Sequence, residues 1–200
     1  MKPIRPRSAP ARPAPWPPGA VFTVGHSTRP LDEFVALLEA YGVERLADIR
    51  TVPRSRHNPQ FNADELGPAL EARGIDYLPL RSLGGLRRPG AASPNTGWRN
   101  ASFRGYADHM ASEEFARGLD ELIAAGKTRP TAIMCAEAVP WRCHRSLVAD
   151  ALVVRGIPVV EILSPTSWRM HALTPFAHVE GQTITYPPPP SSPGVSPGDS

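Results

Sequence analysis

Thr131-Ala-Ile-Met-Cys135-Ala-Glu-Ala-Val-Pro-Trp-Arg-Cys143-His-Arg145-Ser-Leu-Val-Ala-Asp-Ala-Leu-Val-Val-Arg155 decides how this chain is read. Its first five residues are apolar or β-branched, the mark of a short buried strand. Its last ten are amphipathic at helical spacing. The stretch is therefore strand, loop, helix, and that unit builds open α/β sheets. Both cysteines of the chain sit in its loop, with Glu137, His144 and two arginines. In such sheets ligands bind outside the carboxyl ends of the strands.

Working outward, the same alternation recurs. Val21–Gly25 reads as a strand, and Pro30–Ala40 as a helix with Thr28 as its cap. Arg45–Ile49 is a second strand. Asn62-Ala-Asp-Glu65 resembles a capping box at the start of a helix. Ile75–Leu80 is a third strand, followed by a long loop over 81–100 and a short helix over 103–110. A helix capped by Ser112 precedes the Thr131 strand, and Pro158–Leu163 follows as the fifth. Gln182–Tyr186 is a candidate extra edge strand. This order predicts one α/β domain of three layers: a mostly parallel five-stranded sheet with helices on both faces.

Residues 1–19 and 187–200 are rich in Pro, with Arg and Ala in the first and Ser and Gly in the second. They are expected to be disordered tails around a domain over 20–186. The formal charge of +3 resides in those tails. Lys2, Arg5, Arg7 and Arg12 stand against the single tail acid Asp199, so the segment between is neutral. A bulk nucleic-acid binder is thereby disfavoured. No run is long enough to span a membrane, and two cysteines in one loop do not form a secreted disulfide framework. A cytoplasmic protein is expected.

The layout of Cys135, a loop, Arg142 and a helix start is similar to that of thiolate phosphatases and sulfurtransferases. In those, backbone N–H groups hold an anion and depress a thiol pKa. Here the spacing is one residue longer than in the phosphatases, glycines are missing, and Glu137 would repel an anion. Cys143-His144, nearer the helix N-terminus, is a second nucleophile candidate. Metal binding through Cys135, Cys143, His144 and His26 is a third reading, at a spacing wider than zinc sites use. A merely packed Cys135 is the bland alternative.

His26-Ser27-Thr28-Arg29 follows the first strand, and His26 suits proton transfer. Arg50, Arg54 and Arg56 follow the second strand in an acid-free run from 49 to 63. Arg81, Arg87, Arg88, Arg99 and Arg104 lie in another, from 77 to 107. Eight arginines on two strand-end loops of a neutral core suit a phosphate-like anion. Trp98, Phe103 and Tyr106 are placed to stack on a base. Asp108, Glu113 and Glu114 read as surface or helix-start charges.

Five stretches together resemble the domain of unknown function 488 family. They are Thr23-Val-Gly-His-Ser-Thr-Arg29, Asp48-Ile-Arg-Thr-Val-Pro-Arg-Ser55, Leu78-Pro-Leu-Arg-Ser-Leu-Gly-Gly85, Phe103-Arg-Gly-Tyr106, and Cys135-Ala-Glu with Cys143-His-Arg145. They run in the family's order across about residues 21–165, and His171–Tyr186 is similar to the C-terminal end of some members. Leu80-Arg-Ser before Leu83-Gly-Gly departs from many of them. The resemblance implies an α/β domain and no established activity.

The leading expectation is an enzyme acting on an anionic substrate, a nucleotide or nucleic-acid phosphate. Cys135, Glu137, Cys143, His144 and His26 are the catalytic candidates. Ser27, Arg29, Arg50, Arg54, Arg145 and Tyr106 are the substrate-binding ones. The alternatives are a non-catalytic nucleotide or nucleic-acid module, and a metal or redox protein using Cys135, Cys143 and His144. The motifs single out no cofactor.

Overall fold

The computed structural model describes residues 16–189. What was expected of the tails over 1–15 and 190–200 falls outside them. Strand β1 (Val21–Gly25), helix α1 (Leu31–Ala40), β2 (Arg45–Asp48), α2 (Ala63–Glu71) and β3 (Asp76–Pro79) come first. Helices α3 (Ala101–His109) and α4 (Glu113–Thr128) lead into β4 (Thr131–Cys135), α5 (Arg145–Val154) and β5 (Val159–Ser164). β6 (Ser167–Met170) follows, and β7 (His178–Glu180) pairs with β8 (Thr183–Thr185) as a separate two-stranded ribbon.

The main sheet has six strands in the order β3-β2-β4-β1-β5-β6, parallel except for β6. The expected five-stranded sheet thus gains an antiparallel edge strand. Gln182–Tyr186, expected at that edge, instead supplies β8. The central strands β1 and β4 are buried along their whole length, as strands covered on both faces must be. Alternate side chains separate into two cores. Phe22, Val24, Leu46, Ala132, Met134 and Val160 pack with α1 and α2. Val21, Ala47, Ile133, Cys135 and Val159 pack with α4 and α5.

This division creates a crevice. β1 and β4 are neighbours, with Gly25 level with Cys135. The helix after β1 covers one face and the helix after β4 the other. Their loops therefore part at the carboxyl edge, the switch point where α/β sheets open a site.

Two of the expected helix caps do different work. Ser112 caps α4 through the Phe115 N–H as its position suggests. Thr28 does not cap α1, whose N-cap is Pro30. Asn62 precedes α2, but its side-chain oxygen accepts from Ser55 N at 2.7 Å and ties down the Arg54 loop. Asp108, expected at the surface, accepts from Gly90 N, Ser93 Oγ and Asn95 Nδ2 and so pins the 81–100 loop. Burial alone would raise its pKa, but these donors outweigh it and hold the carboxyl low.

Trp16 lies in the stretch expected outside the domain, yet it packs edge-on against Phe22 and Trp168 and stacks on Tyr41. The folded unit therefore starts before residue 20. Trp16→Ala is expected to cost about 1–2 kcal/mol, because a half-buried indole contributes large apolar area and ring contacts. Urea denaturation checks this, and an unchanged midpoint would make the contact idle.

Candidate functional site

The site is assembled where the loops after β1, β2 and β4 meet the start of α5. His26 N donates to Cys135 O and Ser27 N to Ala136 O, so the first loop continues the β1–β4 ladder. Ser27 takes a positive φ of 53° there, a conformation rare for residues other than glycine. The chain then folds the Glu137 peptide directly over Gly25. A Cβ at position 25 would overlap the Glu137 carbonyl oxygen and lie 3.0 Å from an Arg145 nitrogen. Glycine is required by this close approach.

The sulfurs of Cys135 and Cys143 stand side by side, placed to pair as a disulfide. Beside them Arg145 is completely buried. One of its terminal nitrogens lies 2.8 Å from Cys135 Sγ and also donates to the Glu137 carbonyl; the other donates to Ala138 O at 2.9 Å. Its Nε has no partner. Among the described residues no carboxylate forms an ion pair with it. Burial lowers its pKa to about 10, opposed by the more distant Glu161 and Glu137. Arg145 thus points into the protein and not to solvent. It shapes the cysteine loop and faces a sulfur.

His144 follows Cys143. Its Nε2 lies 3.1 Å from Ile49 O, a carbonyl that can only accept, so Nε2 carries the proton. Nδ1 then presents a lone pair 3.7 Å from Cys143 Sγ. Burial brings the pKa of His144 down to about 4, so the ring is neutral at physiological pH. Tyr106 packs against this ring and donates its hydroxyl to Leu83 O. Gly85 lies opposite, where a Cβ would come within 2.8 Å of His144 Nδ1.

The third component is a buried cluster after β2. Asp48 takes both ends of the Arg50 guanidinium, Nε at 2.8 Å and a terminal nitrogen at 2.6 Å. Tyr77 OH donates to the same carboxylate. Arg50 also donates to Phe61 O, and its other terminal nitrogen lies 3.4 Å from His26 Nε2. His26 donates from Nδ1 to Ser27 O, so Nε2 is the acceptor. Its ring stacks on Phe61, and burial lowers its pKa to about 4. His26 is a fixed neutral acceptor for Arg50.

A cavity of about 240 Å³ opens over these groups, lined by Arg50, Thr51, Gly85, Cys135, Glu137, Cys143 and His144, with Val52 and Leu86 at its wall. Val52 and Leu86 are 59% and 80% exposed. Five of the expected site residues thus share one cavity: Arg50, Cys135, Glu137, Cys143 and His144. His26 stands behind Arg50, and Arg145 behind Cys135. Arg29 is turned to Gly25 O and Leu163 O, and Arg54 is an exposed partner of Asp64. Ser27 and Tyr106 do not line the cavity. Trp98 packs against Phe103, Phe176 and Tyr186 and does not line this cavity. Among the described residues no three His, Cys, Asp or Glu side chains are grouped to hold a metal ion. Asp48 and Gly85 were missed as site residues. The signal for Asp48 was its place two residues before Arg50, at a strand end.

A family model described as domain of unknown function DUF488 matches residues 30–152. The match covers more than half of the chain, which belongs to that family. No curated protein and no solved structure matches the chain. No helix among the described residues is long and apolar enough to cross a membrane.

Proposed function

We propose that this member of the DUF488 family is a thiol-dependent enzyme whose nucleophile is the Cys135 thiolate, working in the cavity at the carboxyl edge of the sheet. One observation carries the reading: a fully buried guanidinium, Arg145, touches Cys135 Sγ and, among the described residues, has no carboxylate in contact. A buried cation without a counter-charge is costly. When the disulfide is reduced, ionisation of Cys135 supplies that charge locally, and a cationic neighbour lowers a thiol pKa.

Cys143 has a different environment. The lone pair of neutral His144 faces it, so the reduced Cys143 is held as a thiol that donates to Nδ1. The two sulfurs are thereby assigned different roles, one nucleophile and one proton-bearing partner. The arginine-rich loops give less support to a nucleotide substrate. Arg50 is neutralised by Asp48, Arg87 pairs with Glu114, and Arg29 and Arg145 serve backbone carbonyls. The cavity combines the cysteine pair with an Arg50 already neutralised by Asp48, with Glu137 and with an apolar rim, which suits a small sulfur-containing substrate better than a phosphate.

The test is the ultraviolet thiolate absorbance of reduced Cys143→Ser protein as a function of pH. Cys135 should ionise at least about one unit below the free-cysteine value of about 8.5. Titration at or above that value removes Cys135 as the nucleophile.

A further inference from the structure

We infer that Cys135 and Cys143 form a redox-active pair that oxidises thiols, because the buried Arg145 guanidinium stabilises the pair in its reduced form. The inference rests on the thiolate reading above and adds the direction of electron flow, the class of substrate and the role of each sulfur.

Arg145 faces a different sulfur species in each of the two redox states. In the disulfide, Cys135 Sγ is a neutral, weak acceptor, and the guanidinium beside it lacks a counter-ion. After two-electron reduction the same sulfur is a thiolate at the same position. Reduction thus relieves an unpaired buried charge. A disulfide whose reduced form is selectively stabilised is a stronger oxidant. The charged and titratable groups around Cys135 are few. Arg145 faces it from α5, and Glu137 lies in its own loop. Arg50 shares the cavity from the loop after β2 but is tied to Asp48. His26 and His144 are neutral. Arg29 and Glu161 act on Arg145 only at a distance, with opposite signs.

The asymmetry also orders the steps. Thiolates attack the disulfide sulfur whose partner leaves more readily, and a lower pKa makes the better leaving group. The leaving sulfur is therefore Cys135, and the sulfur attacked is Cys143. A substrate thiolate bonds to Cys143 Sγ, the Cys135–Cys143 bond breaks, and its electron pair leaves on Cys135 opposite Arg145. The product is a mixed disulfide between substrate and Cys143. A second substrate thiolate then attacks the substrate sulfur, and Cys143 leaves and takes up a proton beside His144 Nδ1. Two thiols have become one disulfide, the protein pair has gained two electrons, one proton rests on Cys143 and one has gone to solvent. Both cysteines line the cavity, and exposed Val52 and Leu86 give the apolar part of a thiol substrate a surface. On return to the oxidised form the Cys135 thiolate is the nucleophile: it attacks a disulfide, of which oxidised glutathione is the simplest probe, and one thiolate leaves; Cys143 then gives up its proton, attacks the Cys135 sulfur and expels the second thiolate.

The experiment equilibrates full-length protein with reduced and oxidised glutathione over a range of ratios and pH, traps thiols by alkylation and counts them by mass. Exchange should be reversible in the folded protein. Between the depressed Cys135 pKa and about pH 8.5, reduction should become about tenfold easier per pH unit, because one protein thiol is ionised while glutathione is still protonated. Arg145→Met should shift the equilibrium towards the disulfide by on the order of tenfold at pH 8, and Arg145→Lys should restore part of that. Should Arg145→Met not fold, the pH slope of the unaltered protein decides. A pair that does not exchange with glutathione, while Cys135 absorbance shows a depressed pKa, overturns this inference and leaves the thiolate reading standing. A flat pH profile with ordinary Cys135 ionisation overturns both.

Discussion

Asp150→Ala is expected to lower the stability of the domain by about 3–5 kcal/mol, the range for breaking a buried ion pair by removing one partner. Asp150 is fully buried on α5. It accepts from His171 Nε2 at 2.8 Å, from Thr174 N at 3.0 Å and from Tyr186 OH at 2.8 Å. Alanine would leave all three donors without an acceptor, and each unsatisfied buried polar group costs free energy. His171 makes the loss larger. Its other ring nitrogen donates to Glu161, which Arg169 also grips. Burial alone would lower the His171 pKa, but the two carboxylates outweigh it and raise the value to about 9. The imidazolium is therefore part of the fold at neutral pH. Since the folded value lies above the unfolded one of about 6.5, its contribution is complete below 6.5 and is lost as pH rises through about 9. Urea denaturation at pH 6, 7.5 and 9.5 should show a falling midpoint in the unaltered protein, and His171→Asn should flatten that fall. A pH-independent midpoint would mean that the network carries no net stability. Glu161 behaves in the opposite sense. Burial would raise its pKa, but His171 and Arg169 hold it low, so its share is lost in acid.

The alternation of strands and helices was legible because each element buries one patterned face. Thr131–Cys135 and the helix after it keep their expected places almost to the residue. β6 was not legible, since Ser167-Trp-Arg-Met170 is a short edge strand with a mostly exposed pattern and carries no apolar alternation. The meeting of the loops at one cavity was legible, because each follows a parallel strand and all those ends point one way. The roles of its charged residues were not. Arg50 and Arg145 were read as anion ligands because charges default to the surface. In the structure Arg50 pairs with Asp48 while lining the cavity, and Arg145 donates to carbonyls of the Cys135 loop. The helix explains the difference: the stretch reads as amphipathic, but residues 145–152 of α5 are all buried, so its polar residues lie inside. Arg145 and Asp150 are two of those residues. They connect the thiol site and the C-terminal network through one helix.

Gly25→Ala is expected to disable the thiol site as well as weaken the fold. β1 lies in the middle of the sheet, between β4 and β5, so its backbone has no room to yield. The new methyl would overlap the Glu137 carbonyl group and press on Arg145, so the 136–138 loop must move. Forcing one extra carbon into a packed interior costs about 1–3 kcal/mol, and here the atom displaced is backbone, which places the cost at the upper end. The loop movement also removes the Glu137 carbonyl from Arg145 and loosens the contact between guanidinium and Cys135 Sγ. In Gly25→Ala combined with Cys143→Ser, the Cys135 pKa should therefore rise towards the free-cysteine value of about 8.5. Gly126→Ala is the control. Its Cβ would meet only Val21 Cγ2 at 3.3 Å, and alanine favours the helix it sits in, so stability should hold or rise and the thiolate should not change. Thermal melts and thiolate absorbance on the two variants separate the outcomes. Equal behaviour of the alanines at 25 and 126 would show that the loop tolerates the methyl, and that the crossing of Glu137 over Gly25 does not set the geometry of the sulfur site.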